Sequence, residues 1–375
     1  MKRDVSVPPP DAGPGAVFSW FAGLRERDSQ LYARLSRLAG ADPGLLAPVL
    51  PLPPGSNMPL LFFASVHHVV LDGARHPLAD IFRAPGRELP ADAVLADGLA
   101  SFLKTYAAEV SDLMATRAVQ TNEVNRSALI APAMRVAREL AGTELALVEV
   151  GASAGLNLHF DRYMTYYTHR SRPTVHVSGP PTAAVQLKCE LLGDLVPPLG
   201  GGVHPEPGIG PALRMGLDLA PVSVHDDTEM RWLHACVFPD QPERAARARA
   251  ATAVARAHPV PIHAGDVLDV LPKLLSGVPR HLTPVVMHTW VLAYLSDRQR
   301  ADFAALLAEQ SRERRVLWLG AEWPQYLPGR PALPEDEGTV WSLADLDGGE
   351  ARHHTLAYAH EHATWATWCH KTSIE

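Results

Sequence analysis

The chain has 375 residues, of which 47% are apolar, and a formal net charge of −7 at pH 7. This length and balance predict a globular protein of one large or two ordinary domains, and the acidic charge gives no reason to expect a nucleic-acid partner. Its three cysteines are far apart and form no C-x-x-C pair, so they offer no structural zinc site.

The N-terminus lacks the features of a signal peptide, because proline and glycine stand where an apolar run is needed. The most apolar window, residues 59–66, is too short to span a bilayer. We therefore expect a cytoplasmic protein without a membrane partner. The sequence leaves its oligomeric state open.

The first 143 residues are predicted to be mostly helical. Apolar residues recur at helical spacing in four segments: 18–38, 59–71, 92–117 and 125–140. Gly142 follows the last of them, as at many helix ends. We expect a flexible tail over residues 1–15 and a helical cap domain over 16–143.

From residue 144 onwards, predicted strands alternate with helices. The strand candidates are 146–150, 213–219, 260–264, 284–290 and 315–320, and the clearest helices between them are 243–257 and 297–312. This alternation predicts an α/β fold, a Rossmann-like doubly wound and mostly parallel sheet over residues 144–375. The segment 339–359 reads as a C-terminal antiparallel hairpin that turns near DGG.

Residues 163–211 interrupt this scheme. TVHVSG and AVQLKCEL predict an inserted β-hairpin, followed by a loop rich in proline and glycine. A mobile lid is an equally compatible interpretation.

The stretch GASAG, residues 151–155, supports two interpretations. It fits G-x-S-x-G, the turn that presents the nucleophilic serine of many hydrolases, which would make Ser153 catalytic. That fold needs several strands and an oxyanion donor before the serine, but the preceding chain is predicted to be helical. The alternative is a glycine-rich cofactor loop between a strand and a helix.

The cofactor interpretation accounts for more residues. Glu149 ends the preceding strand, and Gly151 and Gly155 allow a ligand to approach the backbone. Asp218 ends the next strand, where a carboxylate can accept both ribose hydroxyls of an adenosine. Asp266 follows the third strand, where an adenine amino group could be bound.

These motifs resemble two groups of proteins. E-x-G-x-S-x-G, an acid after the second strand and G-D after the third resemble class I S-adenosylmethionine-dependent methyltransferases, over about residues 143–370. The segments TRAVQTNEVNRS (116–127), GASAGLNL (151–158) and GLDLAP (216–221) resemble a bacterial family of unknown function, over nearly the whole chain.

The first resemblance implies S-adenosylmethionine as the cofactor and methyl transfer to a small molecule or natural product. The residues expected to contact the cofactor are Glu149, Gly151, Ala152, Ser153, Gly155, Asn157, Asp218, Leu219, Asp266, Val267 and His288. The fourth strand ends in His288-Thr289-Trp290 rather than a D/N-P-P-Y/F motif, which argues against methylation of adenine in nucleic acid.

Some acceptors require a base, and His288 is the catalytic candidate because it ends a central strand and histidine is a side chain suited to removing a proton near neutral pH. A buried histidine bonded to backbone is an equally compatible interpretation. The residues expected to contact the acceptor are Arg117, Gln120, Asn122, Glu123, Arg126, Tyr163 and Trp290. We expect no metal, since H-E-x-x-H and comparable ligand spacings are absent from the sequence.

Three other functions remain open. The protein could bind S-adenosylmethionine or a related nucleoside without methyl transfer, or it could be a serine hydrolase that uses Ser153. A non-enzymatic interaction module is the third possibility, since the sequence contains no obvious catalytic dyad.

Overall fold

A computed structural model describes residues 12–55, 57–84, 86–199, 210–327 and 338–370. The chain divides into two compact units, Met1–Thr121 with His225–Arg249, and Asn122–Val224 with Ala250–Glu375. We call the first the helical unit and the second the sheet unit. The division after Thr121 differs from the expected boundary at 143/144, because the helix that precedes the first strand groups with the sheet.

The α-helices of the described residues are α1 (Pro14–Arg25), α2 (Gln30–Ala41), α3 (Met58–Leu71), α4 (Pro77–Phe82), α5 (Asp92–Thr116), α6 (Ser127–Ala141), α7 (Asp227–Ala235), α8 (Pro242–Ala257), α9 (Val267–Ser276) and α10 (Asp297–Glu313). The strands are β1 (Leu145–Val150), β2 (Met164–His169), β3 (Val175–Ser178), β4 (Gln186–Leu191), β5 (Leu213–Asp218), β6 (Ile262–Ala264), β7 (Thr283–Thr289), β8 (Val316–Glu322), β9 (Thr339–Asp347), β10 (Glu350–Ala359) and β11 (Trp365–Trp368).

The helical unit has an aromatic core. The ring of Tyr32 stacks on that of Phe63 at 4.5 Å between centroids, and its hydroxyl donates to the Phe63 carbonyl oxygen. The prediction of one helix over residues 18–38 is wrong, because α1 and α2 are separate. The Ser29 hydroxyl accepts a hydrogen bond from the Tyr32 N–H and so starts α2. The helices predicted at 59–71 and 92–117 are confirmed as α3 and α5.

The strands of the sheet unit form a single sheet in the order β3-β2-β4-β11-β10-β9-β8-β7-β1-β5-β6. The five strands predicted from the alternation are confirmed as β1, β5, β6, β7 and β8, and they pair in parallel. Numbered by their order in the chain, they lie across the sheet as 3-2-1-4-5. Their carboxyl ends share one edge, and the chain reverses its winding direction between β1 and β7. Ligands of open α/β sheets bind at such a reversal.

The C-terminal hairpin is also confirmed. β9 and β10 are antiparallel, and Gly348 and Gly349 connect them at φ 61° and 88°. Two consecutive positive φ angles suit a tight hairpin turn and favour glycine.

The predicted insertion has a different topology. Strands do form at Val175–Ser178 and Gln186–Leu191, but they do not pair with each other; both flank β2, which the sequence analysis missed. β4 also pairs with β11, so these strands extend the main sheet. The run MTYYTH, rich in threonine and tyrosine, is the local signal for β2 that could have been used. Most of the predicted loop, residues 200–209, lies outside the described residues.

Within the part of the chain that the structure describes, no helix combines the length and the apolar character needed to cross a membrane.

Candidate functional site

The glycine-rich loop leaves β1 with three left-handed residues. Gly151, Ser153 and Gly155 have φ angles of 72°, 51° and 69°. A Cβ atom on Gly151 would lie 2.5 Å from a methyl group of Val291, so glycine is required there by both backbone angle and space. Ser153 adopts a conformation that costs a non-glycine residue about 1–2 kcal/mol.

Asp218, at the end of β5, fixes this loop. One of its carboxylate oxygens accepts from the Ser153 N–H at 2.7 Å, and the other accepts from the Ala220 N–H at 2.9 Å. Each oxygen of a carboxylate can accept a further hydrogen bond. The carboxylate predicted to bind ribose therefore holds the loop and retains acceptor capacity.

Glu149 lies beside this loop at the end of β1. Its side chain is 3% exposed, and its Oε2 atom has no hydrogen-bond partner among the described residues. Burial raises the pKa of Glu149 well above its ordinary value, and the Asp218 carboxylate raises it further, while Arg126 lowers it. A buried carboxyl group without a partner is costly, because it has lost its hydration without replacement.

Asn122 and Arg126, two members of the predicted polar segment, reach the same edge of the sheet. Asn122 donates to the Ala152 carbonyl oxygen at 3.4 Å. The Arg126 guanidinium donates to the Thr289 hydroxyl at 3.3 Å and lies 5.7 Å from the Trp290 ring. The loop after β1, the end of β7 and the segment before α6 thus meet in one place.

His288 is buried at 0% exposure, and both of its ring nitrogens are hydrogen-bonded. Indole Nε1 of Trp318 can only donate, so it donates to His288 Nε2 at 2.7 Å. His288 Nδ1 then carries the proton and donates to Glu322 Oε1 at 2.7 Å. His288 is thus a buried histidine with both nitrogens bonded, but its partners are side chains and not the backbone that the alternative interpretation expected. Action as a base would require His288 to break one of these bonds.

A family model described as an uncharacterized protein conserved in bacteria (DUF2332) matches residues 16–368. The chain belongs to this family. The predicted resemblance to a bacterial family of unknown function is therefore confirmed, whereas the methyltransferase resemblance stays a prediction. Comparison with curated proteins gave no match.

Other polar residues of the segments TRAVQTNEVNRS and GASAGLNL make hydrogen bonds that stabilise the fold. Asn125, which was not among the predicted site residues, donates to the carbonyl oxygens of Lys188 and His362 at 3.0 Å. Glu123 accepts from the Asn125 N–H, and Ser127 donates to the side-chain oxygen of Asn157. Asn157, predicted to contact the cofactor, is 3% exposed and bonded within the protein.

The chain after the glycine-rich loop differs from the prediction. In place of an α-helix with free N–H groups, a short 3₁₀ helix covers Leu156–Arg162 and departs from helical angles at His159. Tyr163, predicted to contact the acceptor, is 2% exposed, and its hydroxyl donates to the Leu156 carbonyl oxygen. Tyr163 is therefore a buried residue of the core, and its hydroxyl is bonded within the protein.

The carboxyl ends of β5 and β6 remain accessible. Asp266 caps α9 by accepting from the Leu268 N–H at 2.8 Å, and its neighbour Val267 is half-buried. The Gly265 N–H donates to the Asp218 carbonyl oxygen, so these two strand ends are adjacent. Leu219, next to Asp218, is 77% exposed. An exposed leucine beside two carboxylates can contact a planar apolar group.

Arg117 and Gln120, the remaining two predicted acceptor contacts, belong to the helical unit. Arg117 pairs with Glu229 at 2.7 Å and lies 5.9 Å from the Trp232 ring.

Sequence reasoning missed the turn after β7. Glu322 Oε1 accepts from the backbone N–H groups of Val291 and Leu292 as well as from His288, and it fixes this turn. Trp290 has a φ of 61°, its Nε1 is buried without a partner in the described residues, and its ring lies 4.9 Å from that of Trp323. In the sequence, the only signal for Glu322 is that an acidic residue ends the strand β8.

Groups of three histidine, cysteine, aspartate or glutamate side chains that could hold a metal ion do not occur within the described ranges.

Proposed function

We propose that the protein is a cytoplasmic S-adenosylmethionine-dependent methyltransferase that acts on a small molecule or natural product. The observation that carries this proposal is the buried carboxyl group of Glu149, whose Oε2 has no partner in the described chain. It lies at the carboxyl end of β1, where the winding of the parallel strands reverses. A ligand that presents a cationic N–H donor there would satisfy it.

The neighbouring residues fit the other parts of this cofactor. Asp218 retains acceptor capacity for ribose hydroxyls after binding the loop. Leu219 offers an exposed apolar surface for a base, and the next strand ends close to it at Asp266. The 3-2-1-4-5 order of the parallel strands supports a Rossmann-like arrangement in which all these groups lie along one edge.

When bound, S-adenosylmethionine supplies an electrophilic methyl group to a nucleophilic acceptor. The chain's contribution is to position the two reactants, which can account for about 7–11 kcal/mol of the barrier without a general base. Arg126 and Trp290, which contact each other beside the loop, would form the wall of the acceptor site. Catalysis by positioning of the two reactants does not require a free imidazole at His288.

Two alternatives give different outcomes in the same experiments. The protein could bind the cofactor without transferring its methyl group. For a serine hydrolase, Ser153 would need a histidine partner, and the bonds of His288 to Glu322 and Trp318 occupy both its nitrogens. His353 and His354 lie on β10, and β9, β8 and β7 separate that strand from β1.

The test is titration of S-adenosylhomocysteine against the full chain, followed by calorimetry and by the thermal midpoint. We expect saturable binding and a raised midpoint, because a ligand of the native state stabilises it by mass action. Glu149→Gln should weaken binding about tenfold or more, since hydrogen bonds to a charged group contribute about 1.5–3 kcal/mol. Asp269→Asn, at an exposed position of α9, is the matched control and should leave the affinity unchanged.

Absence of saturable binding would refute the cofactor assignment. Labelling of Ser153 by a fluorophosphonate in the same preparation would favour the hydrolase instead. Binding without methyl transfer to a panel of small-molecule nucleophiles would favour the binding protein.

A further inference from the structure

A cavity lies in the helical unit, among residues of that unit alone. Its volume is about 550 Å³, within the range of small-molecule sites. One wall is the C-terminal end of α3 with the turn after it, and the other is one face of α5 around Tyr106. Val69, Ala74 and Leu113 contribute apolar surface to the lining.

The α5 wall carries two carboxylates of like charge, Glu109 and Asp112. They stand three residues apart on the helix, a spacing at which like charges destabilise each other. Neither makes an ion pair with a cation of the described residues, whereas Asp72, on the opposite wall, pairs with Arg231 at 2.7 Å. Arg75 is the one arginine or lysine among the lining residues described, so carboxylates outnumber permanently charged cations there.

His68 provides an independent observation that points to a ligand. It lines the cavity, is 7% exposed, and its Nε2 atom is buried with no hydrogen-bond partner in the described parts of the chain. Burial lowers the pKa of His68, and the Arg231 guanidinium lowers it further. At neutral pH the ring is therefore uncharged, with a nitrogen lone pair that can accept from an N–H donor.

We propose that this cavity binds an aliphatic polyamine, whose ammonium groups contact Glu109, Asp112 and His68 and whose methylene segments pack on Val69 and Leu113. A polyamine alternates charged and apolar segments, as the lining of the cavity does. A metal ion would need a closer set of ligands, and the described residues contain no such set. The cavity shares no residue with the proposed cofactor site, whose residues belong to the sheet unit.

The experiment is calorimetric titration of the full chain with spermidine at low ionic strength. We expect saturable binding, which 1,8-octanediol, an uncharged molecule of similar length, should not show. The double variant Glu109→Gln/Asp112→Asn should lower the affinity about tenfold, as the loss of two ammonium–carboxylate contacts predicts. The matched control, Glu88→Gln/Asp97→Asn, makes the same change of charge at exposed positions outside the cavity lining.

The control separates a site from general attraction to an acidic protein. Equal loss of affinity in both double variants would overturn the proposal, as would failure of the wild-type chain to saturate below about 1 mM spermidine. His68→Phe, which keeps a planar ring and removes the nitrogens, should weaken binding several-fold without lowering the thermal midpoint. Wild-type affinity in His68→Phe would also contradict the proposed contact.

Discussion

The ends of β1 and β8 each carry a buried glutamate, and the two differ in the hydrogen bonds that the fold gives them. Oε1 of Glu322 accepts hydrogen bonds from His288 and from the backbone of Val291 and Leu292. For Glu149, Oε2 has no partner among the described residues, and a second carboxylate, Asp218, lies nearby. Oε2 of Glu322 likewise has no partner among the described residues, so what sets Glu322 apart is the set of three hydrogen bonds to its Oε1.

This difference distinguishes a carboxylate that fixes the site through Oε1 from one for which the described chain shows no such structural role. Glu322 fixes the turn that presents Trp290, and through His288 and Trp318 it is part of a buried network. The glycine-rich loop is fixed separately, by Asp218. Neither support bonds Oε2 of Glu149, and the free-energy cost of that buried, unpartnered atom fits a role in binding.

The largest effect is expected at Glu322. Glu322→Ala would leave three buried N–H donors unsatisfied, and we expect the free energy of unfolding to fall by about 3–5 kcal/mol. Urea denaturation of the ligand-free chain measures this free energy of unfolding. Glu322→Gln keeps an acceptor oxygen and should cost about 1–2 kcal/mol. Equal stability of Glu322→Ala and wild type would show that the network is not holding the turn.

A smaller effect is expected in the loop after β1. Gly151→Ala would place a methyl group against Val291 and force an unfavourable backbone angle, with an expected cost of about 2–3 kcal/mol. Gly142→Ala is the matched control, because Gly142 has a similar φ of 67° with nothing within 4 Å of an added Cβ. The control should cost about 1 kcal/mol. If both variants unfold at the same urea concentration, the Val291 contact does not constrain the loop.

The smallest effect is a pH dependence. Because the pKa of Glu149 is raised in the folded protein, the folded chain retains this proton where the unfolded chain has released it. Its contribution to stability therefore falls as pH rises above 4.5, the ordinary value. Relative to wild type, ligand-free Glu149→Gln should therefore become more stable as the pH rises from 5 to 8. Thermal unfolding across that range measures the difference, and a constant difference would mean that Glu149 does not titrate as proposed.

Several features were predictable because their signals are local. The hairpin turn at Gly348 and Gly349, the glycine-rich loop and the alternation of helices and strands all follow from residues close in sequence. The strand β2 had a local signal in MTYYTH that was missed, and its pairing with β4 had none. Pairing between strands that are not consecutive depends on the whole sheet.

The candidate site was predictable in position but only partly in roles. The acids at the ends of β1, β5 and β6 lie along one edge, as parallel pairing requires. The sequence could not indicate that both ring nitrogens of His288 are bonded, to Trp318 and to Glu322, which lie 30 and 34 positions later in the chain. It also could not indicate that Asp218 supports the loop.

The sequence by itself determined an α/β sheet with a glycine-rich turn after its first strand, because periodicity and backbone freedom are properties of neighbouring residues. The tertiary structure decided which buried polar atoms are bonded: His288 bonds to Oε1 of Glu322, and Oε2 of Glu149 and Oε2 of Glu322 are left without a partner in the described chain. Strand order sets those pairings, since it brings together side chains that are far apart in the sequence.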